Sequence, residues 1–193
     1  MTQSDAQNDT PWESSICITG HRFEKLPKDD YLQAVKDVLY YHLDYAVMAG
    51  FTHFYVGMAE GIDYISALHL FELRSKNPEI KVIGIQPCTD YEEFFKVMHY
   101  DLSHLREMQN RLDKIIVLSG TWKDKGVFLR RNKFMVQRSS AILAVCKKSM
   151  HSGSMYTLHY ARKKGLAYCW IRLDLLPKLP ATPKMWTVER NGF

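Results

Sequence analysis

The residues best placed to do chemistry are Gly57-Met58-Ala59-Glu60-Gly61-Ile62-Asp63. They follow the short apolar run His53-Phe54-Tyr55-Val56 and open an amphipathic run over residues 64–73. A strand ends, the chain turns on glycine, and a helix begins. Gly57 supplies backbone angles that a tight turn needs, and Gly61 lets main chain or a ligand approach closely. The first amides of such a helix lack internal partners, which makes its start a site for a phosphate or other anion. An ordinary strand-to-helix turn has the same pattern, so the heptapeptide alone leaves both readings open.

The elements that must position these residues read from the alternation of apolar runs with helical ones. Buried strands are expected at Ile16-Cys17-Ile18-Thr19, Phe54-Tyr55-Val56, residues 81–85, residues 115–118, residues 141–145 and residues 167–171. Between them, Val35, Val38, Leu39, Leu43 and Ala46 recur at helical spacing, as do Ile65, Leu68, Leu70 and Phe71. A helix starting near Asp29 or Asp30 ends before Gly50, a more polar one covers residues 91–108, and others span about 127–138 and 155–164. Gly165 stands where a left-handed helix end wants it.

Short, uniformly apolar strands separated by helices predict an α/β fold, a Rossmann-like doubly wound, mainly parallel sheet in three α/β/α layers. Ligands of such sheets sit at the carboxyl ends of the strands. That rule gathers Thr19-Gly20-His21-Arg22, the Gly57–Asp63 turn, Gln86-Pro87 and His151-Ser152-Gly153-Ser154 on one edge. Their convergence favours a phosphate-bearing ligand.

The 193 residues are 46% hydrophobic, enough for a sizeable core, and read as one domain over residues 15–175. Residues 1–14 form a flexible tail, polar and unlike a signal peptide or anchor. Residues 176–193, with Pro177, Pro180 and Pro183, are expected to run extended. No apolar run is long enough to span a bilayer. Cys17, Cys88, Cys146 and Cys169 lie in or beside apolar runs without metal-ligand spacing, as expected of reduced cysteines in a cytoplasmic protein. The scattered histidines give no metal site, and no cofactor is expected. The net charge of +5 is uneven, with Lys123, Lys125, Arg130, Arg131, Lys133, Arg138, Lys147 and Lys148 set against Asp124. The stretch is either a surface for an anionic partner or a solvated face.

Assembled in this order, the segments resemble the YpsA-like family of the SLOG superfamily, which groups DprA with the LOG cytokinin-activating enzymes. The resemblance runs from about Ser15 to Ile171. It rests on Thr19-Gly20-His21-Arg22, the Gly-Met-Ala-x-Gly-x-Asp turn, Gln86-Pro87-Cys88, Arg131-Asn132-Lys133-Phe134-Met135, and Ser152-Gly153-Ser154 with Tyr160-Ala161. The typical Gly-Gly-Thr is Ser152-Gly153-Ser154 here, and the acid expected before the fifth strand is Ser139 or Ser140. The glutamine and tryptophan expected after Pro87-Cys88 are replaced. LOG-type enzymes carry their catalytic glutamate where this chain has Thr157, and threonine cannot act as that carboxylate.

The resemblance implies binding of a nucleotide or an ADP-ribose-like derivative, in sensing or signalling, without an assigned catalytic residue. Thr19, Gly20, His21, Arg22, Gly57, Met58, Ala59, Glu60, Gly61, Asp63, Pro87, Arg131, Asn132, Gly153 and Ser154 form the expected ligand site. Glycines would admit phosphates to backbone amides, and Arg22 and Arg131 would donate charge-assisted hydrogen bonds. Asp63 is read as a cap or brace for its helix, with a contact to a ribose hydroxyl as the alternative, and His21 as either a ligand contact or a loop brace. The alternatives are an N-glycosidic nucleotide hydrolase, with Glu60 or Asp63 supplying a carboxylate, and a DprA-like nucleic-acid binder using residues 123–148. A homodimer is implied by relatives alone, and no membrane partner is expected.

Overall fold

Successive strand residues point to opposite faces of a sheet, and in this chain both faces are apolar. Ile16, Ile18, Phe54, Val56, Leu143 and Val145 enter one buried cluster. Their neighbours Cys17, Tyr55, Ile142 and Ala144 enter a second. A sheet buried on both sides needs helices on both sides.

The computed structural model, which describes residues 11–148, 151–175 and 188–191, has that architecture. Strands β1 (Ser15–Gly20), β2 (His53–Val56), β3 (Lys81–Gln86), β4 (Lys114–Val117), β5 (Ala141–Cys146) and β6 (Ala167–Arg172) pair in parallel. Strand β7 (Val188–Asn191) adds antiparallel to β6. The sheet order is β4-β3-β2-β1-β5-β6-β7. Helices α1 (Asp30–Met48) and α2 (Ile62–Lys76) pack into the first cluster, while α5 (Val127–Gln137) and α6 (Gly153–Lys163) supply Met135, Val136, Met155, Leu158 and Ala161 to the second. The fold is a three-layer, Rossmann-like, doubly wound sheet.

The single helix expected over 91–108 is two, α3 (Tyr91–Val97) and α4 (Leu102–Arg111). His99 turns the chain at φ 55°, a left-handed conformation that composition does not advertise for histidine. Asp101 then caps α4 by accepting the Ser103 amide at 2.8 Å. Strand β4 is an edge strand with Val117 48% exposed, not a fully buried one. Asp29 stands at the N-cap of α1, yet its side chain makes no capping bond. Gly165 has the expected positive φ of 78°. The strand β7 was not legible in the residues 176–193, of which 176–187 and 192–193 lie outside the described residues, as do 1–10.

All four cysteines are buried and free. Among the described residues no cluster of His, Cys, Asp or Glu could hold a metal ion, and no helix is long and apolar enough to cross a membrane.

Candidate functional site

Between β1 and β5 the sheet order reverses: β2, β3 and β4 follow outward on one side, β6 on the other. Loops leaving the two strands diverge there, and the crevice between them is the usual binding place in such sheets. A cleft of about 200 Å³ opens at this point. Its walls come from the loop after β1, the turn after β2, helix α5 and the first residues of α6.

The turn after β2 is already occupied. The Asp63 carboxylate accepts the Ala59 amide at 3.2 Å, and the Gly57 amide also bonds to it. Burial pushes the Asp63 carboxyl up from its usual range, against Arg131, these amides and Arg22, which pull it down. A Cβ on Gly57 would fall 2.6 Å from the Asp63 carboxylate and 2.8 Å from the Arg131 guanidinium carbon. Gly57 is therefore glycine because two side chains close over it. The residues of the turn with positive φ are Met58, at 58°, and Gly61, while Gly57 has none, so the expectation that Gly57 supplies the special angles is corrected. Gly61, at φ 83°, faces protein: its Cβ would lie 2.4 Å from the His21 carbonyl oxygen and 2.6 Å from the Arg22 Cα. The His21 carbonyl accepts the Ile62 amide at 3.1 Å, so part of the helix start is spent on the loop after β1.

His21 serves that loop as a brace. It is 2% exposed, and its Nε2 accepts the Lys147 amide at 3.0 Å, which ties the β1 loop to the chain beyond β5. Burial, with Lys25 and Lys147 nearby, lowers its pKa from 6.5 to about 4, so the ring is neutral at physiological pH. Arg22 lies among aromatic rings. Its Nη1 donates to the Tyr100 hydroxyl at 2.6 Å, and its guanidinium sits 5.1 Å from the Tyr100 ring centroid, 5.3 Å from Phe94 and 5.9 Å from Phe128.

The α6 side is built differently. Ser152 caps the helix by accepting the Met155 amide at 3.3 Å, and Ser154 donates to the Gly20 carbonyl at 2.6 Å. A Cβ on Gly153 would meet only Asn132 Nδ2, at 3.8 Å. This helix start opens onto the cleft. Across from it, buried Arg131 donates from Nη1 to the Gly57 carbonyl at 2.6 Å and from Nε to Asn132 Oδ1 at 3.0 Å. Asn132 Nδ2 in turn donates to Thr157 Oγ1 at 2.7 Å, and Thr157 donates to the Gly153 carbonyl at 2.6 Å. One buried relay thus joins the two glycine turns.

Of the residues expected at the site, Thr19, Gly20, His21, Arg22 and Ala59 line the cleft, as do Asp63, Arg131, Asn132, Gly153 and Ser154. Gly57 and Gly61 lie behind its wall. Met58 is fully buried in the core, and Pro87 is buried away from the cleft. Glu60 points to α4, where it accepts the Asp101 amide at 2.8 Å and pairs with His104 Nδ1 at 3.2 Å. Lining residues that the sequence reading passed over are Glu24, Lys25 and Phe128, and Ser152, gathered on the edge but left out of the expected site, lines it as well. Phe128 was findable, since it precedes Arg131 by three residues on one helix and so shares its face. Lys25 sits in a 3-10 turn, Phe23–Lys25, with no periodicity to flag it.

The basic residues of 123–148 are not all alike in their placement. Arg131 is buried, Arg130 pairs with Asp124 at 3.7 Å, Lys123 with Glu93 at 3.7 Å, and Arg138 covers the Phe134 ring at 3.5 Å.

Comparison with known proteins identifies a family for the chain. A family model, YpsA, described as the YspA SLOG family, matches residues 16–172. A UPF0398 protein of Bacillus cereus (strain ATCC 14579) is 23% identical over 155 residues, covering 78% of this chain and 83% of the relative. A UPF0398 protein of Bacillus thuringiensis (strain Al Hakam) matches with the same identity and coverage. The matched segment runs from Ile16 in β1 to Arg172 in β6 and contains every wall of the cleft, and on that ground the chain belongs to the YspA SLOG family.

Proposed function

We propose that the protein binds a nucleotide or a nucleotide-derived molecule of the ADP-ribose type, in a sensing or signalling role. A phosphate sits at the start of α6, and the attached sugar lies toward the β1 loop. The observation that carries this reading is the open Gly153 position at the sheet's switch point. There, unoccupied space meets the first amides of a helix, with Arg22 and Lys25 on the facing loop. Neutral His21 adds no charge and fixes the loop, while Thr19 and Ser154 line the cleft with hydroxyls.

The site offers little for N-glycosidic hydrolysis by the LOG route. Thr157 is 1% exposed, and its hydroxyl is engaged by Asn132 and the Gly153 carbonyl. Asp63 is the buried carboxyl on the cleft wall, and its bond to Ala59 makes it a brace.

Mass spectrometry of small molecules released from the purified protein, followed by calorimetry with AMP, NAD and ADP-ribose, tests the reading. Saturable binding with unchanged ligand is expected. Base or ribose 5-phosphate released on incubation would replace the binding module with the hydrolase. No nucleotide-derived mass together with no binding of the three probes would overturn it.

A further inference from the structure

The cleft does not end at the first turn of α6. Ser152 and Gly153 also line a neighbouring open hollow, completed by Leu129 of α5 and by Tyr156 and His159 of α6. Tyr156 and His159 pass in turn into a third hollow that reaches Tyr160, Lys163 and Lys164. Shared residues make the three one groove along the outer face of α6. At the helical rise per residue, the groove from Gly153 to Lys163 is about 15 Å long. That exceeds the reach of a single nucleotide whose phosphate is held at Gly153.

Its chemistry is uniform along that length. Neither α5 nor α6 carries an Asp or Glu. Among the described residues, Lys133, Lys163 and Lys164 enter no ion pair with a carboxylate. The Lys133 and Lys164 ammoniums each lie 5.8 Å from the Tyr160 ring centroid. Tyr156 is 43% exposed, with its ring parallel to that of Tyr160 within 8° and the centroids 6.4 Å apart. An uncovered ring beside unneutralised lysines suits a planar, electron-rich base attached to phosphate.

We propose that this groove is a second subsite, and that the ligand is a dinucleotide: one nucleotide in the cleft, linking phosphates at Ser152 and Gly153, and a second base stacked on Tyr156. The assignment rests on the nucleotide-binding reading of the cleft. Lys133, Lys163 and Lys164 supply the positive field that draws the second half along α6, and the acid-free surface leaves nothing to repel it.

Calorimetry with AMP, ADP-ribose and diadenosine diphosphate separates the two subsites, because only the third probe carries a second base. Diadenosine diphosphate should bind about tenfold tighter than ADP-ribose, the advantage expected of one stacked base. Tyr156→Ala should remove that advantage and leave the affinities for AMP and ADP-ribose unchanged, whereas Tyr156→Phe should retain it. Equal affinities for ADP-ribose and diadenosine diphosphate, or an advantage that survives Tyr156→Ala, would overturn the second subsite and leave the cleft reading standing. Failure of all three probes, with no nucleotide-derived mass released from the protein, would overturn both.

Discussion

The turn after β2 and the turn before α6 both present glycine at the start of a helix, and the protein uses them in opposite ways. Around Gly57 and Gly61 every missing side chain is replaced by protein: Asp63 and Arg131 over the first, the His21–Arg22 backbone over the second. The acceptor in that turn is the chain's own Asp63 carboxyl, which takes the Ala59 amide. Around Gly153 the space is empty apart from one amide nitrogen at van der Waals distance. A glycine in sequence reports that something approaches closely. It does not report whether that something is solvent, ligand or the protein itself.

The largest effect expected from this contrast is on stability. Gly61→Val places a branched side chain against the His21 carbonyl at a backbone angle valine avoids. Strain and overpacking together should cost about 3 kcal/mol or more. Any binding should fall with the folded fraction, as chemical denaturation and calorimetry on one preparation would show. A folded Gly61→Val protein of unchanged denaturation midpoint would make this turn as open as the other.

Acid provides the next test, because His21 ties the start of α2 to the chain after β5: its carbonyl takes the Ile62 amide and its ring the Lys147 amide. The folded pKa of about 4 lies below the ordinary 6.5, so the unfolded chain binds the proton more readily. The stability contributed by neutral His21 is complete above pH 6.5 and is lost as pH falls toward about 4. We expect a loss of about 2 kcal/mol, less than the full shift implies because the exposed Lys25 is screened by water. Urea titrations across this range should show the decline in the native protein and a shallower one in His21→Gln. Parallel curves would remove His21 as the brace.

The alternation that predicted the strands is a property of burial, and burial on both faces left a continuous apolar signature at Ile16-Cys17-Ile18 and residues 141–145. The parallel sheet and the edge at the carboxyl ends of its strands were legible on that account, whereas the strand order that sets the switch point was not. Three further features were not. The break at His99 depends on one residue taking a left-handed angle, and β7 depends on the exposed edge of β6, which local sequence does not encode. Glu60 matched the loop that carries the family resemblance, but α4 was placed close enough to claim its carboxylate through Asp101 and His104. Ten of the residues expected at the site line one cleft, and their individual duties were decided by distances of a few ångströms between segments far apart in the chain.

Gly153→Val sharpens the comparison from the open side. A Cβ there meets only Asn132 Nδ2, at 3.8 Å, and Gly153 has no positive φ to forbid it, so the denaturation midpoint should stay near that of the native protein. The valine methyl groups occupy the space assigned to a phosphate, and affinity for AMP or ADP-ribose should drop at least about tenfold, the loss of more than one hydrogen bond. Unchanged affinity in this variant would move the ligand away from α6.

The smallest expected effect concerns Ser152, the cap of the open turn. Its hydroxyl accepts the Met155 amide at 3.3 Å, a long bond at the mouth of the cleft. Removing such a cap costs about 1 kcal/mol in helices generally. Ser152→Ala should lower stability by about that amount without ligand. The substitution also frees the Met155 amide, and a bound phosphate can take over as its acceptor. Stability measured with saturating ligand should therefore recover part of the loss, giving Ser152→Ala a larger ligand-induced rise in melting temperature than the native protein. The turn after β2 offers no such exchange, since the acceptor of the Ala59 amide is the buried Asp63 carboxylate. If ligand raises the melting temperatures of Ser152→Ala and the native protein equally, the phosphate does not reach the cap, and the open turn would be a structural feature like its counterpart.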